Sequence, residues 1–166
     1  MMQHRVREAE VAWYEVSSPS GERTFKVKSL GQAVGAKRLG TSLYEIPPGG
    51  TAWPFHYHCA NEEAIFVLSG RGHVRLTEES LEVQEGDYVT FPVGEDGAHQ
   101  IRCEGEEPLR FLCLSTMIEP DIAVYPDSGK FGLFAGGAPG TPPESRWLLT
   151  FVRQDATMQY WDGEDG

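Results

Sequence analysis

Apolar residues alternate with polar ones in short runs along this chain, and turn residues cut the runs at intervals of roughly eight to twelve positions. Successive side chains of a strand point to opposite faces, so period-two alternation predicts half-buried strands. VAWYEV (11–16) and TFKVKSL (24–30) flank the turn-forming SSPSGE, and LGTSLYEI (39–46) runs into PPGG. AIFVLSG (64–70), RGHVRLT (71–77), SLEVQEGDYVTFPVG (80–94, two strands split at EGD), HQIRCEG (99–105) and PLRFLCLST (108–116) continue the series. Five to seven strands are expected between residues 40 and 118, in a sandwich or barrel. The last 48 residues change character. YPDSGKFGLF (125–134) and AGGAPGTPPES (135–145) read as loops, and WLLTFVRQ (147–154) fits either a strand or a short helix. Residues 119–166 are expected to pack on the barrel as an extension of one domain spanning 1–166, with WDGEDG (161–166) frayed at its end.

Composition narrows the classes. The 19 Gly and 11 Pro among 166 residues favour short strands and tight turns over long helices. Acidic residues outnumber basic ones 25 to 14, for a net charge of −11, and no basic stripe stands out. Phosphate neutralisation needs clustered cations, so neither nucleic acid nor an anionic membrane surface is an expected partner. MMQHRVREAE lacks the apolar segment of a signal peptide, and no apolar run is long enough to span a bilayer. Three cysteines, Cys59, Cys103 and Cys113, are too few and too scattered for a disulfide framework. They fit free thiols in a reducing cytoplasm.

The chemistry concentrates in HYHCANEEAIF (56–66). On a strand, His56 and His58 share a face about 6 to 7 Å apart, close enough for two imidazoles to converge on one ion. A nearby carboxylate would add charge and leave positions open for substrate. An incidental pair of polar strand residues is the competing reading, and both stay open on these residues alone. Strand parity from His58 favours Glu62 as the carboxylate.

The wider spacing resembles a family pattern. Gly50, five residues, His56-x-His58, four residues, Glu63, six residues and Gly70 are similar to the first motif of the cupin superfamily. Gly86, five residues, Pro92-x-Gly94 and then His99 resemble the second, with residues 71–85 between the two. The resemblance implies an all-β fold, a double-stranded β-helix (jelly-roll) barrel of the cupin type. The N-terminal strands and the loop-rich C-terminal extension flank it. It also implies His56, His58, Glu63 and His99 as ligands of a divalent transition metal: Zn, Mn, Fe, Ni, Co or Cu. Choosing Glu63 over Glu62 requires a turn or bulge in Cys59–Ala60–Asn61 that resets the strand parity, and Asn61 tolerates such a backbone. Ile65 and Val67 then face inward with Glu63, and Ala64, Phe66 and Leu68 face out.

Parity from His99 sends Ile101 and Cys103 inward, and Cys103 is expected as a small buried hydrophobe rather than a thiol near the metal. The gap from Gly94 to His99 exceeds the common pattern by two residues, which predicts a wider loop at EDGA. Trp53 and Phe55 are expected as packing residues, and His4 and His73 as surface histidines.

YPDSGKFG resembles a stretch of small single-domain cupins named as sugar phosphate isomerases. Three functions follow: a metal-dependent isomerase of a sugar or sugar phosphate, a metal-dependent dioxygenase, and a non-catalytic module that binds a small ligand. An isomerase needs a base, for which Glu62 is the candidate. A phosphorylated substrate needs a cation at the mouth, from Arg71, Arg75, Arg102, Lys37, Arg38 or Lys130. Small cupins pair through sheet edges, so a homodimer is expected.

Overall fold

The computed structural model describes residues 4–141 and 143–164. Its strands, in chain order, are β1 (Tyr14–Ser17), β2 (Thr24–Ser29), β3 (Leu39–Ile46), β4 (Tyr57–His58), β5 (Glu63–Ser69), β6 (Arg71–Arg75), β7 (Ser80–Gln84), β8 (Tyr88–Phe91), β9 (Gln100–Cys103), β10 (Leu109–Thr116), β11 (Asp121–Tyr125), β12 (Lys130–Ala135) and β13 (Leu148–Arg153). They form three sheets, ordered β1-β2-β3-β10-β5-β8, β13-β12-β11-β4 and β7-β6-β9. Every pairing is antiparallel.

The alternation written in the sequence decides which side of each strand is dry. On β5, Ile65 and Val67 are fully buried, while Phe66 and Leu68 are 39% and 36% exposed. Ala64 sits on the outer side yet is also covered, because a methyl group is small enough to lie beneath its neighbours. The inward residues of β5 meet Phe25 and Val27 of β2, Leu109 and Phe111 of β10, and Val74, Ile101 and Cys103 of the three-stranded sheet in one continuous core. Cys103 is fully buried and its thiol donates to the Glu107 carbonyl, as expected of a small core residue.

Gly70 turns the chain from β5 into β6 with φ near +86°; a Cβ there would also stand 2.5 Å from the Pro108 carbonyl oxygen, so glycine is required on both counts.

Three features depart from the sequence expectations. The region 39–116 holds eight strands rather than five to seven. The unanticipated one is the two-residue β4, too short to carry an alternation signal. Leu30, expected at the end of a strand, begins the short helix α1 (Leu30–Ala33). Segment 119–166 carries three strands besides its loops, and β11 pairs with β4 through Ala123↔His58 and Val124↔Tyr57. The extension therefore shares a sheet with the strand that bears His58. Of the expected frayed end, residues 161–164 form exposed turns, and Asp165 and Gly166 lie outside the described residues.

Among the described residues no helix is long and apolar enough to cross a membrane.

Candidate metal centre

His56 and His99 come together through the backbone. The His56 N–H donates to the His99 carbonyl at 3.2 Å, and the His99 N–H returns the bond at 2.9 Å. Directly opposed residues of an antiparallel bridge present side chains on the same face, and the two rings stand 4.9 Å apart. His58 follows two residues after His56 on that face, its ring 5.1 Å from that of His56.

The longer gap before His99 does no harm to this arrangement. Residues 95–97 close it as a 3₁₀ turn, in which Gly97 packs so tightly on Pro92 that a Cβ would fall 1.7 Å from its carbonyl oxygen. The Gly97 carbonyl then accepts from His99 Nδ1 at 2.9 Å.

The same tie recurs on each imidazole. His56 Nδ1 donates to the Pro54 carbonyl at 2.8 Å, and His58 Nδ1 meets Asp121 Oδ2 at 2.6 Å. A carbonyl oxygen can only accept, so Nδ1 carries the proton in His56 and His99, and Asp121 favours the same tautomer in His58. In the neutral form of each ring, Nε2 is thereby left with its lone pair. Burial pushes the pKa of His56 well below the ordinary histidine value, and the neighbouring imidazoles His99 and His58 add to the effect. Burial also lowers that of His99, against the opposing pull of Glu63. Burial would lower His58 too, but the Asp121 hydrogen bond and the Glu63 charge outweigh it and hold His58 above the ordinary value. For Asp121, burial alone would raise the pKa; His58, Asn61 and the Ala60 N–H reverse the direction and keep the carboxylate ionised.

Glu63 arrives from the other sheet, at the first position of β5. Its Oε2 lies 3.5 Å from His99 Nε2 and 3.7 Å from His58 Nε2. Donor atoms of His56, His58 and Glu63 all lie within 4.8 Å of one another. Atoms bound to one ion at about 2.0 to 2.2 Å stand roughly 3 to 4.4 Å apart, so these three can hold a metal after a small closing movement. His99 stands beside the trio with its ring flat on Phe91, at 3.7 Å between centroids.

Glu63 rather than Glu62 faces inward, and the chain bends at Cys59 and Ala60 as the reset of parity requires, though Asn61 itself does not take a left-handed backbone. No residue other than glycine has a positive φ among the described residues. The chain instead leaves the β4 sheet and enters the β5 sheet, and the buried Asn61 side chain pins the crossing. Asn61 donates to the Ile118 carbonyl at 3.0 Å and accepts from the Ile118 N–H at 2.7 Å and the Thr116 hydroxyl at 3.2 Å. Glu62 is exposed and does not line the interior.

The imidazoles and Glu63 open onto a cavity of about 710 Å³, within the size range of small-molecule sites. Its walls come from β3, β5, β9 and β10 and from the extension, which contributes Tyr125, Phe134, Arg146 and Phe151. Tyr125 stacks on His56 at 5.8 Å. Trp53 lines the cavity and donates to the Tyr44 hydroxyl at 3.0 Å, whereas Phe55 is buried elsewhere beneath the Arg75 guanidinium. The thiol that lines the cavity is Cys113, not Cys103, and burial followed by the Glu63 charge pushes its pKa well up, so it is protonated. None of the six cations expected at the mouth lines the cavity. Arg75, for one, is engaged by Asp127 through two bonds of 2.7 and 2.9 Å. His73 and Glu104 form a surface pair at 2.9 Å. Asp121 and Arg146 had no motif to mark them; both belong to the extension, of whose strands only β13, within WLLTFVRQ, was among the expected alternatives.

Residues 42–115 match the family model for the cupin domain. The chain is 38% identical over 80 residues to an uncharacterised protein of Methanocaldococcus jannaschii, a match covering 48% of this chain and 62% of that protein, less than two thirds of its length. Among solved structures, a candidate sugar phosphate isomerase from Acidithiobacillus ferrooxidans superposes with a TM-score of 0.77 at 26% identity, covering 91% of this chain and 90% of that one. The polyketide cyclase RemF from Streptomyces resistomycificus does so with a TM-score of 0.59 at 28% identity, over 69% of this chain and 80% of its own. The motif spacing, the antiparallel sheets and these matches agree: residues 42–115 match the cupin domain, and the fold is that of the cupin β-barrels.

Proposed function

We propose that His56, His58, Glu63 and His99 hold one divalent transition metal, and that the protein is a metal-dependent isomerase acting on a small sugar or sugar phosphate in the cavity beside it. The observation that carries the metal is the set of outward Nδ1 ties, which leaves Nε2 lone pairs on three neighbouring buried imidazoles beside one carboxylate. Three nitrogens and one oxygen suit Zn, Mn, Fe, Ni, Co or Cu. When bound, such an ion supplies a Lewis acid that polarises a substrate carbonyl.

The residues of the chain do the rest. Asp121 and the Pro54 and Gly97 carbonyls fix the ring orientations. Trp53, Tyr125 and Phe151 wall the cavity that would take the substrate. The isomerase reading is supported by the likeness to the candidate sugar phosphate isomerase over nine tenths of both chains. Glu62 is too exposed to serve as the base, and the titratable groups that line the cavity besides the four proposed ligands are Tyr14, Tyr44, Tyr125, Cys113, Glu144 and Arg146.

The test is incubation with aldoses and sugar phosphates in D₂O, read by NMR. Deuterium entering a carbon position only in metal-containing protein supports the reading. Iron or copper in the purified protein together with oxygen uptake would replace it with the dioxygenase reading, and a tightly bound small molecule without exchange would replace it with a binding module. The same proposal includes a homodimer paired through sheet edges, where β1 bounds the six-stranded sheet. Light scattering at micromolar concentration checks it, and a monomer counts against it.

A further inference from the structure

We infer that Arg146 anchors an anionic group, a phosphate or a carboxylate, of the small molecule that occupies this cavity. The inference rests on the reading of the cavity as a ligand site and names the charge of what it takes.

Arg146 is the single lysine or arginine among the described residues that lines the cavity. Its Nη2 donates to the Ala138 carbonyl at 2.9 Å, and its guanidinium lies 5.1 Å from the Phe134 ring centroid. The plane of the fork is therefore fixed. Its Nε is buried and has no hydrogen-bond partner. A buried N–H without an acceptor is costly, and more so on a charged group, so the Arg146 guanidinium is not fully satisfied by the protein. No carboxylate among the described residues lies within ion-pair distance of it; Glu63 and Glu144 share the cavity but do not pair with it.

Arg146 adjoins a close approach of two chain segments. Gly136 lies so close to Trp147 that a Cβ would stand 2.4 Å from the indole Cδ1. Tyr125, which lines the same cavity as Arg146, stacks on His56 at 5.8 Å and so lies between the imidazoles and the extension. A neutral ligand could accept a hydrogen bond from the guanidinium but would leave its partly desolvated charge uncompensated. An oxyanion satisfies both, and the planar fork suits carboxylate and phosphate alike. With a net charge of −11, the protein has no general attraction for anions, so selection for one needs a local cation.

The experiment is calorimetric titration of inorganic phosphate and of malonate into the protein as purified, with the metal content of each sample measured. Wild type, R146M and R146K are compared. Wild type is expected to bind at least one of the two anions at one site per chain. R146M is expected to weaken that binding about tenfold or more with metal content unchanged, and R146K to recover part of it. The tighter anion identifies the group. Equal affinity in R146M and wild type, or no binding of either anion to metal-containing wild type at about 10 mM, overturns the inference. A wild type that contains no metal overturns the metal reading instead; loss of anion binding in its R146M form would still support Arg146. If R146M folds poorly, phenylglyoxal modification of wild type decides: slower labelling of the Arg146 peptide with bound anion supports the inference, and unchanged labelling overturns it.

Discussion

The two ends of the interior share the same strands and differ in what the inward positions carry. Along β5 the inward face reads Glu63, Ile65, Val67, and along β10 it reads Ser115, Cys113, Phe111, Leu109, with Ser115 opposite Glu63 and Cys113 opposite Ile65. Where the three-stranded sheet closes over these strands, the inward residues are aliphatic or aromatic and fully buried. Where the four-stranded sheet faces them, they become polar and line a cavity of about 710 Å³. One alternating pattern thus builds a packed floor and an open site. The floor carries the stability, and the polar positions at the other end are free to serve ligand chemistry, provided that hydrogen bonds or a bound ion satisfy them.

Paired truncations test that division. Leu109→Ala, at the packed end, should cost about 2 to 5 kcal/mol, whereas Cys113→Ala, at the open end of the same strand, should cost under about 1 kcal/mol, both read from urea midpoints at unchanged slope. Equal costs would show that the two ends are packed alike.

A polar truncation should behave in the opposite way. Asp121→Asn keeps the shape of the side chain but removes the charge that orients His58. Metal affinity should fall about 10 to 100-fold, measured by competition with a chelator. An unchanged affinity would mean that Asp121 serves only the fold.

The smallest effect is expected outside the barrel, where Lys28 is buried on the outer side of β2 and capped by Glu8, with Nζ 2.7 Å from Glu8 Oε1. The hydrogen bond from Lys28 holds the Glu8 carboxyl below its ordinary pKa, with small opposing burial and further help from the charges of Lys28 and Arg110. A depressed carboxylate contributes stability above its unfolded pKa and loses it as pH falls through the depressed value. Glu8→Gln should therefore lower stability slightly near neutral pH and leave it unchanged at the lowest pH. Because Glu8 is half exposed, the difference should be a small fraction of the Leu109 effect. A loss that persists at the lowest pH would point to packing rather than charge.

The packed end was legible because alternation is a long-range signal: seven of the strands from β3 to β10 announce themselves over four residues or more. The donor positions were legible because glycine spacing on both sides of HYHCANEEAIF restricts what a pair of histidines can be. Less local features were hidden. β4 is two residues long, and it exists because β11 arrives beside it from sixty residues away. The orientation of Glu63 depends on Asn61 reaching Thr116 and Ile118, a contact that parity along one strand cannot express. Asp121 and Arg146 acquire their surroundings only when the extension folds against the site. Their residue types alone gave no reason to choose them over other acids and bases of the chain.

The most direct test of the proposed centre is elemental analysis of protein purified without added metal or a polyhistidine tag. The account predicts about one transition metal per chain in the wild type and in Glu62→Gln, and its loss in Glu63→Gln and in the His56→Ala, His58→Ala double variant. A wild type free of metal, or a double variant that keeps its metal at full stoichiometry, would contradict it.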